Sequence, residues 1–454
     1  MRSSWCRLAD NAMSAPSGAK PNFVFILADD LGFADLSCYG REDYQTPAID
    51  ALADGGMRFT HAYANSAVCT ATRVALMTGR YQYRIAIGLE EPLQGRDIGL
   101  PPAHPTLPSL LQNCGYHTAL VGKWHLGELP RYCPLKSGFD EFWGIRGGGV
   151  DYFTHELHGK NDLWDGETNI ERVGYLTDLL GDRAVEVLEQ RAKGDQPFFL
   201  NLNFTAPHWP WEGPDDEGEA LRLKARTDDP MPIIHWDGGD MATYAAMMRN
   251  LDENVAKVTA ALERLGLADN TVVVFTSDNG GERFSKTWPF NGRKTELLEG
   301  GLRIPAIVRW PGLARPGSEN DVPVMTMDWL PTFLAAAGGA PDPARPTDGL
   351  DIRSAIAGRN LPQRTLFWRF ANHDQKAARR GNQKYLQIGT NAFLFDVVAD
   401  PMERANLKER RATDFHSLRA EWNSWNATML PPDPQAGRHG FTGAQLAEYY
   451  GVDS

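Results

Sequence analysis

Five short apolar runs constrain the fold of this chain more than any other feature of its sequence. They are "NFVFIL" (residues 22–27), "HTALV" (117–121), "PFFLNLNF" (197–204), "TVVVF" (271–275) and "PAIVRW" (305–310). Continuous apolar runs of this length are typical of buried strands. Patterns with helical spacing lie between them, at residues 106–114, 176–191 and 241–265. Strands that alternate with helices predict an α/β fold, with a large, mostly parallel or mixed sheet sandwiched by helices.

A Pro/Gly-rich stretch at residues 338–349 is the best candidate for a domain boundary. Beyond it come the short runs "TLFWRF", "QKYLQI" and "AFLFDV" and a helical pattern near 415–425, which predict a small antiparallel sheet with a helix. The chain of 454 residues is long enough for a large core with a smaller unit attached. The predicted parts are a flexible N-terminal tail (1–20), a main domain (21–350), a small C-terminal α+β subdomain (351–430) and a C-terminal extension (431–454).

Composition excludes several classes of partner. The formal net charge is -12 and no long basic run occurs, which argues against nucleic acid. No apolar run is long enough to span a membrane, and the N-terminus lacks the apolar region of a secretory signal. We therefore expect a soluble, cytoplasmic protein. The five cysteines form no CxxC pair, so neither a disulfide framework nor a zinc ribbon is predicted.

Hard oxygen ligands follow two of the predicted strands. Asp29 and Asp30 come directly after the first run, and Asp278 and Asn279 follow "TVVVF". Open parallel sheets bind ligands beyond the carboxyl ends of their strands. Carboxylate and amide oxygens at two such ends suit Ca²⁺ or Mg²⁺ rather than zinc. The alternative is ordinary turn chemistry, because Asp-Asn-Gly is a common loop former.

Cationic and imidazole side chains follow the remaining strands. Lys123 and His125 come after "HTALV", and His208 comes after "PFFLNLNF". Arg293 and Lys294 lie in "NGRKTELLEGGLRIP", just before the last run. These side chains are placed to reach the same crevice as the carboxylates. A histidine that is only a loop or core residue, and a basic loop that is only solvated, are the competing interpretations.

One cysteine is a candidate nucleophile. Cys69 lies in "SAVCTATRVALMTGR", just before a stretch with helical spacing. The N-terminus of a helix offers free N–H groups and the positive end of the helix dipole, which favour anions and thiolates. Arg73, one turn into the helix, carries a guanidinium that can hold a nucleophile or an anion. A buried, inert cysteine is the competing interpretation.

Taken together, the motifs resemble those of the formylglycine-dependent sulfatases, the arylsulfatase branch of the alkaline-phosphatase superfamily. "CTATRVALMTGR" and "GYHTALVGKWHLG" resemble the two signature segments of that family. "NFVFILADDLG", "APHWPW", "TSDNGG", "GRKTELLEGGLRIP" and "LFDVVADPMERANL" resemble its other segments, in the expected order. The likeness covers about residues 22–407. It implies hydrolysis of an organic sulfate monoester, either aryl or carbohydrate, with release of inorganic sulfate.

The resemblance also implies that Cys69 is not used as a thiol. In this family the cysteine is oxidised to formylglycine (3-oxoalanine), whose aldehyde is hydrated to a geminal diol. One hydroxyl attacks sulfur, and loss of the proton from the other re-forms the aldehyde and expels sulfate by C–O cleavage. A formylglycine-generating maturase is therefore an expected partner. Ala71 stands where proline is usual; the radical-type maturase is expected to accept alanine, whereas the oxygen-dependent enzyme is expected to prefer proline.

The family's ligand set maps onto the residues at the strand ends. Asp29, Asp30, Asp278 and Asn279 are implied to bind one Ca²⁺, with Mg²⁺ as the other option. A diol oxygen of modified Cys69 is implied to complete the shell together with a substrate oxygen. A second role is implied for Asp278, as acceptor of the proton of the attacking hydroxyl.

The remaining catalytic roles are also carried over by resemblance. Arg73 is implied to hold the diol. Lys123 and Lys294 are implied to neutralise the sulfuryl oxygens, where charge builds in the transition state. His125 is implied to deprotonate the second hydroxyl. His208, with Lys294, is implied to protonate or stabilise the leaving oxygen.

The substrate pocket is predicted from two aromatic segments, residues 151–164 and 208–212. The side chains chosen there, together with the basic residue beside Lys294, are Tyr152, His155, Trp164, Trp209, Trp211 and Arg293. Aromatic faces suit stacking on a sugar or an aryl ring. The layout resembles the branch of the family that acts on sulfated amino sugars and other glycans.

Two alternatives to sulfate ester hydrolysis remain open from the sequence. One is hydrolysis of a phosphonate ester or phosphodiester with the same formylglycine. The other is a non-catalytic protein that binds sulfated ligands through an unmodified Cys69. A two-zinc phosphatase is disfavoured, since the further histidine and aspartate ligands that a second metal needs are not found.

Overall fold

The computed structural model describes residues 20–226 and 238–438. Its strands, in chain order, are β1 (Asn22–Ala28), β2 (Met57–Phe59), β3 (Ala62–Tyr63), β4 (His117–Gly122), β5 (Glu141–Ile145), β6 (Glu156–Leu157), β7 (Lys160–Asn161), β8 (Leu163–Asp165), β9 (Thr168–Asn169), β10 (Phe198–Asn203), β11 (Thr271–Ser277), β12 (Ala306–Arg309), β13 (Ser318–Asn320), β14 (Val324–Met325), β15 (Thr365–Phe370), β16 (Gln375–Arg380), β17 (Gln383–Ile388) and β18 (Asn391–Asp396). Its α-helices are α1 (Pro47–Asp54), α2 (Cys69–Thr78), α3 (Leu107–Asn113), α4 (Leu176–Arg191), α5 (Glu217–Lys224), α6 (Met241–Arg264), α7 (Glu299–Leu302), α8 (Trp329–Ala336), α9 (Arg353–Ile356) and α10 (Ala412–Asn426).

A ten-stranded mixed sheet forms the centre of the molecule. Its strand order is β13-β2-β12-β11-β1-β10-β4-β5-β8-β9. The middle strands β11, β1, β10, β4 and β5 run parallel to one another, and all five predicted runs form strands of this sheet. The strand β12 is antiparallel to both of its neighbours. The prediction of a large, mostly parallel or mixed sheet is confirmed.

Helices cover both faces of this sheet. Side chains of β1 alternate between the faces, as the two-residue period of a strand requires. Val24 and Ile26 pack in one core with α1, α4 and α6, and Phe23 and Phe25 pack in a second core with α2, α3 and α8. In the second core the ring of Phe23 stacks on Phe333 of α8 at 4.3 Å between centroids. The sheet is therefore the middle layer of a three-layer α/β/α sandwich.

Capping residues mark where the predicted helices begin and end. Thr106 caps α3 by accepting from the backbone N–H of Ser109 at 3.3 Å, and Asp240 caps α6 by accepting from Thr243 N at 2.8 Å. After α6, Gly266 takes a left-handed φ of 69°, which a glycine adopts without strain. Within the described residues no helix combines the length and the apolar character that crossing a membrane needs.

The C-terminal part forms a second, smaller layer. Strands β15–β18 make a four-stranded antiparallel sheet in sequential order, and α10 packs against it through Trp422, whose Nε1 donates to the carbonyl of Trp368 at 2.8 Å. The predicted antiparallel sheet with a helix is confirmed. Sequence analysis found three of the strands and missed β16. Residues 1–19 of the predicted tail and 439–454 of the predicted extension lie outside the described residues.

Candidate active site

The helix α2 begins at Cys69, where the sequence predicted a helix N-terminus. Val68 before it is extended, with φ -147° and ψ 156°, and all ten residues of α2 are buried. The Sγ atom of Cys69 lies 3.2 Å from Nδ1 of His125. Burial raises the pKa of the Cys69 thiol, although the nearby ammonium of Lys123 favours the thiolate. An unmodified thiol is therefore held in its protonated, weakly nucleophilic form.

Oxygen ligands from the ends of β1 and β11 meet beside this cysteine. Ligand atoms of Asp29, Cys69 and Asp278 lie within 4.8 Å of one another, and the same holds for Asp29, Asp30 and His208. All of these residues are buried. Both strands end at the same edge of the sheet, which brings carboxylates 248 residues apart into contact; Asp30 N donates to Oδ1 of Asp278 at 3.3 Å.

Two oxygens of this cluster have no hydrogen-bond donor among the described residues. They are Oδ1 of Asp29 and Oδ1 of Asn279, and both are buried. Buried acceptors are rarely left without a partner, because losing water without compensation costs about 1–3 kcal/mol. The amide nitrogen of Asn279 donates to Oδ1 of Asp30 at 2.7 Å, so it is only the amide oxygen that lacks a partner. Orphaned oxygens among carboxylates fit a hard divalent cation.

Each of the three carboxylates has one closest cation, and Asp29 has a second, Nη2 of Arg73 at 3.6 Å. The pairs are Asp29 with Lys123, Asp30 with Lys294 and Asp278 with Arg73. Arg73 donates through Nε and Nη2 to a single oxygen of Asp278, at 3.0 and 2.8 Å. Its Nη1 donates to the carbonyl of Lys123 at 3.1 Å. Arg73 therefore links α2 to the ends of β4 and β11. It lies in the same helix as Cys69, whose diol it was predicted to hold.

The two adjacent aspartates that follow β1, Asp29 and Asp30, have opposite electrostatic surroundings. Burial raises the pKa of Asp29 to about 8, and the neighbouring Asp278 adds to the effect. Burial acts on the pKa of Asp30 in the same direction. The Nζ of Lys294, 2.6 Å from Oδ2 of Asp30, outweighs burial and holds the pKa of Asp30 below its usual value. Burial also disfavours the charged form of Lys294, yet Asp30 and Glu282 raise the pKa of this ammonium.

The hydrogen bonds of the two histidines fix their tautomers. His125 Nε2 lies 3.2 Å from the carbonyl oxygen of Leu93, and His208 Nδ1 lies 2.7 Å from that of Trp209. A carbonyl only accepts, so these nitrogens carry the protons. The unprotonated Nδ1 of His125 then faces Cys69. Burial lowers the pKa of both imidazoles well below its usual value, and nearby lysines lower it further.

His208 lies on the Asp30 side of the cluster. Its Nε2 is 3.6 Å from Oδ2 of Asp30, close to Lys294. To act as an acid, His208 has to carry a second proton on Nε2, in addition to the proton that it donates to the Trp209 carbonyl. All of the residues predicted to be catalytic or to bind the metal are thus brought together at one edge of the sheet.

The predicted site did not include a triple-glycine segment that lies over both histidines. A Cβ on Gly148 would come within 2.6 Å of Cε1 of His125, and a Cβ on Gly149 within 3.0 Å of Cε1 of His208. The signal was visible as "GIRGGGV", which lacks the pattern of a phosphate loop. Consecutive glycines also occur where the backbone has to approach a functional group closely, and this explains the segment here.

The predicted substrate residues fall into two groups, and the first group is partly exposed. Trp209 is half-buried and its ring lies 4.1 Å from the ring of His208. Trp164 is also half-buried, with Nε1 donating to Oδ1 of Asp162 at 2.8 Å. Arg293 is half-buried next to Lys294. These side chains keep some accessible surface for a ligand.

The second group is packed inside the protein. Tyr152, His155 and Trp211 are at most 2% exposed. The hydroxyl of Tyr152 donates to the carbonyl of His208 at 2.8 Å, and His155 Nε2 donates to the carbonyl of Gly174 at 3.2 Å. Because their rings are covered by the protein, these three side chains support the wall of the site rather than offer a stacking face, which differs from the role predicted for them.

Comparisons with known proteins agree with this geometry. A family model described as Sulfatase matches residues 21–340. Arylsulfatase J of Mus musculus is 30% identical over 480 residues, covering 91% of this chain and 77% of the relative. N-acetylgalactosamine-6-sulfatase of Canis lupus familiaris is 32% identical over 380 residues, covering 77% and 68%. The crystal structure of Ps i-CgsB in complex with k-i-k-neocarrahexaose matches with a TM-score of 0.82 and 29% identity, covering 95% of this chain and 98% of that chain.

Proposed function

The chain belongs to the sulfatase family, and we propose that the sulfate monoester it hydrolyses is carried by a carbohydrate. The protein is a sulfuric ester hydrolase, and the family implies a divalent metal and a formylglycine. We further propose that the formylglycine is made from Cys69 by a maturase that accepts Ala71, and that the ion is Ca²⁺. The observation that carries the proposal is Cys69 at the start of a buried helix, against His125 and two carboxylates.

The donor set at the strand ends fits a calcium ion. Asp29, Asp30, Asp278 and Asn279 would hold it, all through oxygen, and two of their oxygens are orphaned. The ion would act there as a Lewis acid that withdraws charge from a sulfuryl oxygen. Since three cations, Arg73, Lys123 and Lys294, already lie against the three carboxylates, a bound divalent ion would make the site electropositive, which suits an anionic ester.

The residues around position 69 divide the proton transfers between them. Formylglycine supplies a hydrated aldehyde, with one hydroxyl to attack sulfur and another to expel sulfate. His125 directs its unprotonated Nδ1 at this position and takes a proton there. His208, when it carries a second proton on Nε2, delivers that proton to the leaving oxygen. Lys123 and Lys294 offset the charge that builds on the sulfuryl oxygens.

Support for a carbohydrate comes from the half-buried Trp209 and from the relatives. Trp209 lies against His208, on the side that handles the leaving oxygen, so an apolar sugar face can pack on the indole. One relative is named for a sulfated amino sugar, and one structural neighbour is in complex with k-i-k-neocarrahexaose. A phosphonate or phosphodiester is the less supported substrate, because the relatives are named sulfatases.

The test is release of inorganic sulfate from matured enzyme. We expect release from sulfated galactose or N-acetylgalactosamine oligosaccharides and from an artificial aryl sulfate, with slower turnover of an aryl phosphonate. Cys69→Ala should abolish turnover, a loss of at least about 10⁴-fold. Cys133→Ala is the matched control, because Cys133 is equally buried but its side chain belongs to the apolar core and not to the cluster of site residues. Sulfate release by Cys69→Ala, or faster hydrolysis of the phosphonate, would count against the proposal.

A further inference from the structure

A loop at residues 90–96 contacts the catalytic centre through the backbone of one residue. The carbonyl of Leu93 accepts from Nε2 of His125 at 3.2 Å. The N–H of Leu93 donates to Oγ1 of Thr70 at 3.0 Å, and Thr70 directly follows Cys69. Leu93 therefore touches both the proposed base and the helical turn that carries the nucleophile. We call residues 90–96 the base loop.

The first residue of the base loop is a buried carboxylate held by the C-terminal segment. Glu90 has no exposed surface. It accepts from the N–H of Gly437 at 2.7 Å and forms an ion pair with Arg96 at the other end of the loop. The guanidinium of Arg96 also lies 3.0 Å from Oδ2 of Asp433. Both ends of the base loop are thus tied to residues 433–438.

A second set of hydrogen bonds fixes the same loop from the neighbouring residue. The N–H of Glu91 donates to the carbonyl of Gly437 at 2.8 Å. The carboxylate of Glu91 accepts from the N–H of Ala371, just after β15, at 2.7 Å. Gly437 therefore makes hydrogen bonds to two consecutive residues of the base loop, and the small C-terminal sheet makes a third.

We propose that Glu90 and Gly437 are positioning residues that orient the catalytic base His125 through Leu93, an inference that rests on the proposed function. The Leu93 carbonyl can only accept, so it holds the proton of His125 on Nε2 and leaves Nδ1 unprotonated toward residue 69. A partner on the far nitrogen of a functional imidazole sets both tautomer and ring orientation. The C-terminal segment thereby reaches the reaction centre without touching substrate.

Gly437 offers a sharp way to disturb this arrangement. A Cβ at position 437 would come within 2.5 Å of the carbonyl oxygen of Pro92 and 3.0 Å of Oε2 of Glu90. The carbonyl belongs to the backbone of the base loop, so the loop has to shift. Gly194 is the matched control, because a Cβ there would meet no atom within 4 Å. Gly437→Ala and Gly194→Ala are therefore chemically identical changes with different structural consequences.

The experiment compares these variants with the parent enzyme, which carries neither substitution and is matured at residue 69, in three measurements. Hydrogen exchange reports on the Leu93 amide, nitrogen NMR of ¹⁵N-histidine protein reports on the tautomer of His125, and kinetics with an aryl sulfate report kcat and KM. For Gly437→Ala we expect faster exchange of Leu93, loss of the single Nε2–H tautomer, and a kcat about 10-fold lower with KM nearly unchanged. Gly194→Ala, also matured at residue 69, should match the parent enzyme in all three.

Glu90→Gln is the second variant, in case Gly437→Ala folds poorly. It keeps an acceptor for the Gly437 N–H but loses the charge that pairs with Arg96, so smaller shifts in the same direction are expected. The proposal is overturned if either variant loosens the base loop while the His125 tautomer and kcat stay unchanged. A parent enzyme that carries formylglycine at residue 69 and releases no sulfate would refute the proposed function instead, and the exchange and NMR measurements would still decide the role of the loop.

Discussion

At the scale of single residues, the site depends on backbone that approaches the catalytic rings closely. Gly148 and Gly149 lie against the imidazoles of His125 and His208; a Cβ on Gly148 would collide with the ring of His125, and a Cβ on Gly149 would press tightly on that of His208. The absence of a Cβ is therefore a requirement of the catalytic geometry. The same segment leads from β5 toward the buried Tyr152, whose hydroxyl donates to the His208 carbonyl.

Gly148→Ala should lower kcat by about 10- to 100-fold, because the new methyl group would lie 2.6 Å from Cε1 of His125 and displace the ring. Steady-state kinetics with an aryl sulfate measure the effect, and a thermal melt checks that the fold is retained. Gly194→Ala, in open space, is the control. A Gly148→Ala enzyme with unchanged kcat would show that the ring of His125 need not lie where the structure places it.

The residues that sequence analysis found are those whose chemistry and position both show in the sequence. Asp29, Asp278 and His208 each follow a run that had to be a buried strand, and parallel strands deliver such residues to one edge. Leu93 could not be found, because its contribution is a backbone carbonyl and its side chain has no reactive group. The burial of Tyr152 could not be predicted from the sequence either, since a tyrosine near a site can pack inside the protein or present its ring to a ligand.

At the scale of elements, a buried charge cluster fastens the small sheet to the main domain. Lys384 of β17 lies 3.0 Å from Glu299 at the start of α7 and 2.9 Å from Glu403, and all three side chains are fully buried. Glu299 also accepts from Arg303 at 2.7 Å and from the hydroxyl of Tyr63 at 2.6 Å. Removing one member of such a cluster leaves buried charge without a partner.

Lys384→Met should lower the free energy of unfolding by about 3–5 kcal/mol, because it keeps the volume but leaves two buried carboxylates short of a cation. Lys376→Met is the matched control on the adjacent strand β16. Lys376 pairs with the largely exposed Asp374 at 3.0 Å, so its loss should cost at most about 1 kcal/mol. Urea titration followed by fluorescence measures both; equal costs would contradict the structural role given to Lys384.

A second link between elements predicts a pH dependence. Asp252 of α6 accepts from the backbone N–H groups of Ala48 and Ile49 at 3.0 and 2.9 Å, at the start of α1. Burial nevertheless raises the pKa of Asp252 from 3.8 to about 6. An acid whose pKa is raised on folding favours the folded state most at low pH, and this contribution is lost as pH rises through its folded pKa.

The free energy of unfolding should therefore fall relative to that of Asp252→Asn between about pH 4 and pH 6, by about 2–3 kcal/mol, and level off above. Taking the difference between the two proteins at each pH removes the contributions of other groups. Denaturant titrations at half-unit intervals supply the data. If the difference in free energy of unfolding is constant with pH, or if it increasingly favours the protein with Asp252 as pH rises, the raised pKa of Asp252 is contradicted.

Helices and strands were predicted correctly where their own hydrophobic pattern determines them. They were missed where neighbouring strands determine them. The central strands and α4 read directly as apolar runs and helical spacing. The strand β16, "QKAARR", is mostly polar, and it forms because β15 and β17 hydrogen-bond to both of its edges. The antiparallel direction of β12 was equally hidden, since an apolar run carries no sign of its direction.

At the scale of the whole molecule, the sandwich brings the ends of several strands to one edge, where the divalent cation that the family implies would link them. Ligands from β1 and β11, cations from α2, β4 and the segment before α7, and the base loop all converge on it. The cytoplasmic location and the domain boundaries stay predictions. The family and the architecture followed from several motifs in order, whereas the identity of the sugar depends on side chains with no fixed spacing.

Removal of the ion should act on activity and stability together. Chelation should lower the rate by at least about 100-fold and lower the Tm, and Ca²⁺ should restore both, because binding to the folded state alone adds stability by mass action. Asn279→Ala loses one orphaned oxygen, so its Tm should rise less at the same Ca²⁺ concentration. If neither the Tm nor the rate changes on chelation or on addition of Ca²⁺, the calcium site is contradicted.

The central claim is that residue 69 reacts as formylglycine, and its chemical state in active protein tests this most directly. The purified enzyme is denatured, treated with a thiol reagent and an aldehyde-specific hydrazide, digested, and the peptide containing residue 69 is analysed by mass spectrometry. We predict hydrazide labelling of this peptide, with turnover proportional to the aldehyde fraction across preparations made with different amounts of maturase. Full turnover by protein whose Cys69 is entirely a thiol would contradict the account.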